Sequence, residues 1–320
     1  MQNITLSPIV LFCYNRLDCL KQTVAALQSN ELASESDLFI FSDGTKLGND
    51  SAAVSGVRAY LKTITGFKHV FIKESSSNQG LAKSLIEGIS EIITRYGTAI
   101  VVEDDILTSP YFLRFMNEAL TLYRDEESVA GICGWRPPSN EKLPDVYFID
   151  EVKCWGWATW KRAWNLFEPD GNKLLNQFRS KDQIFHYNCF GTCPRYDWLK
   201  KQASGNLDSW AVRWHASVFL NGKLGLQSGE NLCANIGYRS GTHYSSENTT
   251  PNDIISDQRP VVRKIKPVIA QDILKKVYVP YYLSLFPPET FSQRAVTFAA
   301  KILKWLLPYS LVCLLKRFIK

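Results

Sequence analysis

The sequence predicts an α/β protein, a mostly parallel sheet with helices on both faces. Three observations carry this. Short apolar runs rich in Val, Ile and Phe recur through the first hundred residues, each followed by a longer stretch with helical spacing. The runs lack polar alternation, as strands buried on both faces do. Turn residues such as Asp43-Gly44 and Asn78-Gln79-Gly80 fall between the segments.

The elements follow in order. Ile9–Tyr14 reads as the first strand and Leu17–Gln28 as the helix returning from it. Leu38–Ser42 is the second strand, ending at Asp43-Gly44, and Asp50–Ile64 the second helix. His69–Lys73 reads as a third strand, Leu81–Tyr96 as a third helix, and Ala99–Glu103 as a fourth strand that stops in Glu103-Asp104-Asp105. The second half is less regular, rich in aromatics and punctuated by Gly134, Pro137-Pro138, Gly156, Pro169, Gly171 and Gly191, as expected of the part that shapes a substrate pocket.

From about Pro260 the character changes. Phe298, Ile302, Trp305 and Leu306 fall at helical spacing beside Lys301 and Lys304, and Pro308 interrupts the pattern. The apolar run is well short of the roughly 20 residues a transmembrane helix needs, and a basic amphipathic helix in the headgroup region suits it better. A terminal helix packed on the domain is the plainer alternative. The expected organisation is one domain over 1–258, made of a regular half at 1–125 and an irregular half at 126–258, followed by a basic amphipathic region over 259–320.

Charge supports that division. Of 37 Lys and Arg, twelve lie from Arg259 onward against two acids, leaving the first 258 residues slightly acidic. That balance argues against nucleic acid as a partner of the whole protein. The eight Cys form no CxxC pair, and Cys189 and Cys193 lack a second pair to complete a zinc site. Reduced, buried thiols are expected. No N-terminal signal peptide is apparent, since Ser7 and Pro8 interrupt the first apolar run and no basic region precedes it.

The candidate site comes from strand ends. In a parallel sheet the first, second and fourth strands deliver Arg16, Asp43 and Glu103-Asp104-Asp105 to one edge, where open α/β sheets bind ligands. Three acids there need a counter-charge, and a hard divalent metal carrying a nucleotide diphosphate supplies one. Each group also has a bland reading: a turn for Asp43-Gly44, pairing with Asp18 for Arg16, a helix cap for Asp105.

Val10–Arg16, Asp43, Asn78-Gln79-Gly80-Leu81 and Glu103-Asp104-Asp105 together resemble the nucleotide-binding half of GT-A glycosyltransferases, in particular the N-acetylglucosaminyltransferase I type and bacterial family-2-like enzymes. The likeness covers roughly residues 8–245. It implies a GT-A fold in which Arg16 and Asp43 hold the base and ribose, Glu103 and Asp104 lie near ribose and donor sugar, and Asp105 ligates Mn2+ or Mg2+. Cys154-Trp155-Gly156-Trp157-Ala158-Thr159-Trp160 resembles the Gly-Trp segment that walls the donor sugar, with Trp157 as the stacking face, although at least one of these Trp is expected in the core. Leu207-Asp208-Ser209-Trp210 resembles the segment carrying the general base, which falls on Asp208, a residue equally suited to cap the following helix. His243, in Gly241-Thr242-His243, matches a late metal or diphosphate contact.

The resemblance thus implies an inverting, metal-dependent hexosyl- or N-acetylhexosaminyltransferase moving sugar from a nucleoside-diphosphate sugar to a hydroxyl of a glycan or lipid-linked acceptor. The basic tail places it in the cytoplasm, peripheral on the inner face of the membrane. A sugar-phosphate nucleotidyltransferase would want a Gly-rich loop after the first strand, and Cys13–Leu17 contains no Gly. A non-catalytic nucleotide-sugar-binding protein is the other alternative.

Overall fold

The computed structural model describes residues 6–46, 50–237 and 254–287. The expected α/β architecture is the one observed. Strands β1 (Ile9–Cys13), β2 (Asp37–Ser42), β3 (His69–Glu74) and β4 (Thr98–Glu103) alternate with helices α1 (Leu17–Gln28), α2 (Ser51–Leu61) and α3 (Leu81–Tyr96). They pair in parallel in the order β3-β2-β1-β4.

The reason these runs are strands is visible in their parity. Ile9, Leu11 and Cys13 of β1, Leu38 and Ile40 of β2, and Ile100 and Val102 of β4 enter one hydrophobic core. Their neighbours Val10, Phe12, Phe39, Phe41, Ala99 and Val101 enter another on the opposite face. Alternate side chains leave a strand on opposite sides, so a run that is apolar at every position feeds two cores at once. Helix α1 and helix α4 (Phe112–Leu122) cover the first face, and α3 with α9 (Trp210–Leu220) the second. At about 1.5–3 kcal/mol per fully buried large aliphatic side chain, this double burial is the main stabilising term. β3 is the edge strand, which leaves Phe71 and Ile72 partly exposed.

The irregular second half completes the same sheet. β6 (Val129–Cys133), β7 (Val146–Ile149), β8 (Trp157–Trp160) and β9 (Leu224–Ser228) extend it to eight strands in the order β3-β2-β1-β4-β8-β6-β9-β7. β8 runs antiparallel to both β4 and β6, so β6 and β9 again point the same way as β4. The carboxyl ends of β1, β2, β4, β6 and β9 and the start of β8 therefore share one edge. A short ribbon of β5 (Ile106–Thr108) with β10 (Cys233–Asn235) projects from that edge, directly after the acidic triplet.

Of the region expected as a tail, residues 259–287 lie against the domain. Ile269 bridges to Phe148 of β7, and the Tyr123 hydroxyl donates to the Arg263 carbonyl and accepts from the Ile265 N–H. Leu274, Val277 and Tyr278, followed by Tyr282 of α11 (Val279–Leu285), are buried with Tyr147 and Ile149 of β7. No helix among the described residues is long and apolar enough to cross a membrane. The amphipathic pattern at Phe298–Leu306 lies outside the described residues.

Candidate active site at the carboxyl edge of the sheet

The acids that end β4 meet the residue that follows β1. Arg16 Nη1 donates to Asp105 Oδ2 at 2.9 Å, and Nη2 donates to Asp104 Oδ1. The Tyr14 N–H donates to the second Asp104 oxygen at 3.3 Å. Asp104 and Asp105 are buried, 3% and 8% exposed. The sequence offered Asp18 as a partner for Arg16; the pairing observed is with Asp104 and Asp105 across two adjacent strands.

One guanidinium faces three carboxyls. Burial and the neighbouring Asp105 and Asp104 push the Glu103 carboxyl up to about 8, against the pull of Arg16. Burial likewise raises Asp104 to about 7, although Arg16 draws it down and Asp105 adds to the rise. Buried carboxyls that outnumber their counter-charge hold protons more firmly. The first call on this charge is thus met by Arg16, from within the chain.

The ribbon closes over the pair. The Ile236 N–H donates to the Asp105 carbonyl at 2.8 Å. A Cβ on Gly237 would stand 2.2 Å from Asp105 Oδ2 and 2.7 Å from Arg16 Nη1, so only backbone fits there.

Asp43 does something the sequence did not show. Its Oδ1 accepts from the Gly44 and Gln79 N–H groups, both at 2.8 Å, and its Oδ2 accepts from the Gly80 N–H at 3.1 Å. The buried carboxylate thereby ties the end of β2 to the turn that opens α3. Gly80 holds φ +80°, a conformation that costs other residues more. Asn78 Nδ2 closes the clasp onto the Gly44 carbonyl at 2.9 Å.

Asp208 is exposed and stands beside this clasp, its Oδ2 3.7 Å from where a Cβ on Gly80 would be. The cap of α9 is its neighbour: Ser209 Oγ accepts from the Val212 N–H at 3.4 Å. Asp208 is therefore not needed as a cap. With Gln79, Lys83, Ile86 and Arg213 it lines a cavity of about 370 Å³ between α3 and α9. Arg213 is fixed there by the Ser209 and Pro169 carbonyls and by the Phe167 ring.

Trp157 requires a correction. It is 0% exposed, packed among Trp164, Trp210 and Trp214 with ring centroids 5.6–6.1 Å away. No face remains to stack on a sugar. Gly156, at φ +61°, turns the chain between the two residues. Trp157 consequently enters the core on the α3 side, while the half-buried Trp155 packs at the margin of the other, nearly perpendicular to Trp135 with ring centroids 4.8 Å apart.

Sequence reasoning missed a buried ionic network behind that loop. Arg195 Nη2 and Lys153 Nζ reach Glu151 Oε2 at 2.5 and 2.7 Å, and both cations also donate to the Tyr282 hydroxyl. Glu151 Oε1 faces His215 Nδ1 at 3.7 Å, and His215 Nε2 lies 3.4 Å from Cys154 Sγ. Burial alone would raise Glu151, but Arg195 and Lys153 hold it down at about 2. Burial depresses His215 to about 4, so its ring is neutral. Glu151, Lys153 and Cys154 share one loop, but Arg195, His215 and Tyr282 come from far along the chain, with no spacing that would have announced their meeting.

Asp104 and Asp105 are hard-oxygen donors of the type Mn2+ and Mg2+ prefer, and Mg2+ in particular is commonly held by one or two carboxylates together with substrate phosphates. The residues fit such an ion in kind. Among the described residues, however, no three His, Cys, Asp or Glu side chains form a cage. His243 lies outside the described residues.

No family model matches the chain, and no curated protein matches it in sequence. Solved structures do resemble it in fold. The mannosyltransferase PcManGT from Pyrobaculum calidifontis, in complex with GDP-Man and Mn2+, aligns over 68% of this chain and 72% of its own, at 10% identity and a TM-score of 0.38. S. aureus TarS aligns over 47% of this chain and 25% of its own, at 12% identity and a TM-score of 0.32. Likeness at this level adds no argument about substrate or reaction, which rest on the residues themselves.

Proposed function

We propose that the protein is a glycosyltransferase of the GT-A type, moving a sugar from a nucleoside-diphosphate donor to an acceptor hydroxyl with inversion. The observation that carries the reading is the gathering, at one sheet edge, of Arg16 with Asp104 and Asp105, the Asp43 clasp on Gly80, and the exposed Asp208 beside that clasp. Arg16 offers the guanidinium for base or phosphate, and Asp43 positions the loop against which the nucleotide would lie. Glu103 and Asp104 are the groups assigned to ribose and donor sugar.

Asp105, with diphosphate oxygens completing the shell, would hold Mn2+ or Mg2+. Bound there, the ion supplies charge neutralisation for the leaving diphosphate. Asp208 takes the proton from the acceptor hydroxyl as it attacks the anomeric carbon; being exposed, it can be reached by an acceptor. Trp155 replaces Trp157 as the aromatic face offered to the donor sugar, because it is the half-buried Trp of that loop. The acceptor is proposed to be a glycan or lipid-linked glycan, met at an inner membrane face through the basic residues beyond 287; the six Lys and Arg there against one Glu support this.

The test is titration of the full chain with GDP, UDP and their sugars, with and without Mn2+, followed by analysis of glycan products. Mn2+-dependent binding of a nucleotide sugar and an inverted linkage in the product are expected. Absence of any nucleotide binding would overturn the reading.

A further inference from the structure

The Glu151 network lies outside the groups assigned above, yet it ends on both sides of Trp155. On one side Tyr282 reaches Glu151 through Arg195, and the neutral His215, its Nδ1 3.7 Å from Glu151 Oε1, stands against Cys154, the residue before Trp155. On the other, Lys153 Nζ, which donates to the same Tyr282 hydroxyl, lies 5.7 Å from the Trp135 ring centroid, and Trp135 abuts Trp155. Tyr281, beside Tyr282 on α11, adds a second contact to Trp135 at 5.6 Å.

Burying two cations and a carboxylate is expensive unless every partner is in place. Arg195, Lys153, Glu151 and Tyr282 have 8% or less of their side chains or surface exposed. Both Arg195 Nη atoms are taken up, by the Tyr187 carbonyl, Glu151 and Tyr282, although Nε has no acceptor among the described residues, and charge-assisted bonds this numerous leave few alternative arrangements. It joins three otherwise separate elements: the loop before β8, the helix α8 (Arg195–Ala203), and α11.

We propose that Tyr282 is a positioning residue for the donor-sugar wall: by seating Lys153 and Arg195 on Glu151, it fixes the Cys154–Gly156 turn and with it the ring of Trp155. This deepens the glycosyltransferase reading and rests on it for the identity of the sugar. The C-terminal segment carrying α11 is then part of the site's support.

Two measurements on the full chain test it. The first needs no ligand. With 5-fluorotryptophan incorporated, the 19F resonance of Trp155 is assigned by its loss in Trp155→Phe. In Tyr282→Phe that resonance should shift while those of Trp160 and Trp164, each assigned in the same way, stay in place. An unmoved Trp155 resonance overturns the proposal, and so does a general shift of all three.

The second is calorimetric, with GDP against GDP-mannose and UDP against UDP-N-acetylglucosamine in Mn2+. Tyr282→Phe should weaken the sugar-bearing ligand about fivefold, the scale of one misplaced aromatic contact, with the free nucleotide unchanged. Equal weakening of both, or of neither, overturns the positioning role. Lys153→Met gives the same readout should Tyr282→Phe fail to fold. Wild-type protein that binds no nucleotide at all would instead sink the glycosyltransferase reading, with the 19F result still standing on its own.

Discussion

Asp43 and Gly80 are joined by a hydrogen bond from the Gly80 N–H to Asp43 Oδ2 at 3.1 Å, and the same carboxylate accepts from Gln79 and Gly44. Thirty-seven positions apart in sequence, the two residues fix the end of β2 against the start of α3. Asp43→Ala would leave buried amides unpaired. A loss of about 1–3 kcal/mol in unfolding free energy is expected, together with weaker nucleotide binding, measured by denaturant melts and titration. Unchanged stability would show that water replaces the carboxylate.

Asp105→Ala removes the carboxylate that Arg16 Nη1 grips. Mn2+-dependent binding of GDP or UDP should disappear while the circular dichroism spectrum is kept. Undiminished binding in Mn2+ by this variant would move the metal assignment elsewhere.

Asp208→Asn keeps the size of the side chain and, with Ser209 as the cap, leaves α9 intact. Donor binding should persist and transfer should fall about 10²–10⁴-fold, the usual cost of losing a general base. Near-normal turnover would assign the base to another carboxylate.

The two tryptophans of the loop should separate cleanly. Trp157→Ala opens the core among Trp164, Trp210 and Trp214 and should cost about 3–5 kcal/mol of stability. Trp155→Ala should cost much less stability but lower affinity for the nucleotide sugar relative to the nucleotide. Equal melting midpoints for the two variants would contradict the burial described.

His215 makes stability depend on pH. Its folded value of about 4 lies below the ordinary 6.5, because burial disfavours the imidazolium. As pH falls the unfolded chain takes up this proton first. The group's contribution is full above about 6.5 and lost as pH falls toward 4, by about 3 kcal/mol in all. The difference in unfolding free energy between wild type and His215→Gln should therefore shrink over that interval. A difference constant with pH would mean that the ring is not kept neutral.

How much of this could be read beforehand follows from the topology. Once β1, β2 and β4 are parallel neighbours, Arg16, Asp43 and the acids must share an edge, whatever the rest of the chain does. What Asp43 does there was not legible, because backbone amides 36 and 37 positions away leave no trace in side-chain identities. The Trp155 and Trp157 assignment turned on one positive φ at Gly156, which spacing does not encode. Glu151, Arg195, His215 and Tyr282 were invisible for a related reason: polar and ionisable side chains carry no mark of burial in the sequence, and only the fold shows that these four are buried together.

The docking of α11 bears on where the chain can be cut. A protein ended at 258 would lose Tyr278 and Tyr282, stripping the lid from Glu151, Lys153 and Arg195 and wetting a charge cluster that the fold keeps dry. Ended after 287, it would keep that lid whole. Proteolysis or truncation between those limits should therefore disturb the candidate site from a distance, whereas nucleotide binding should survive removal of the basic residues further on.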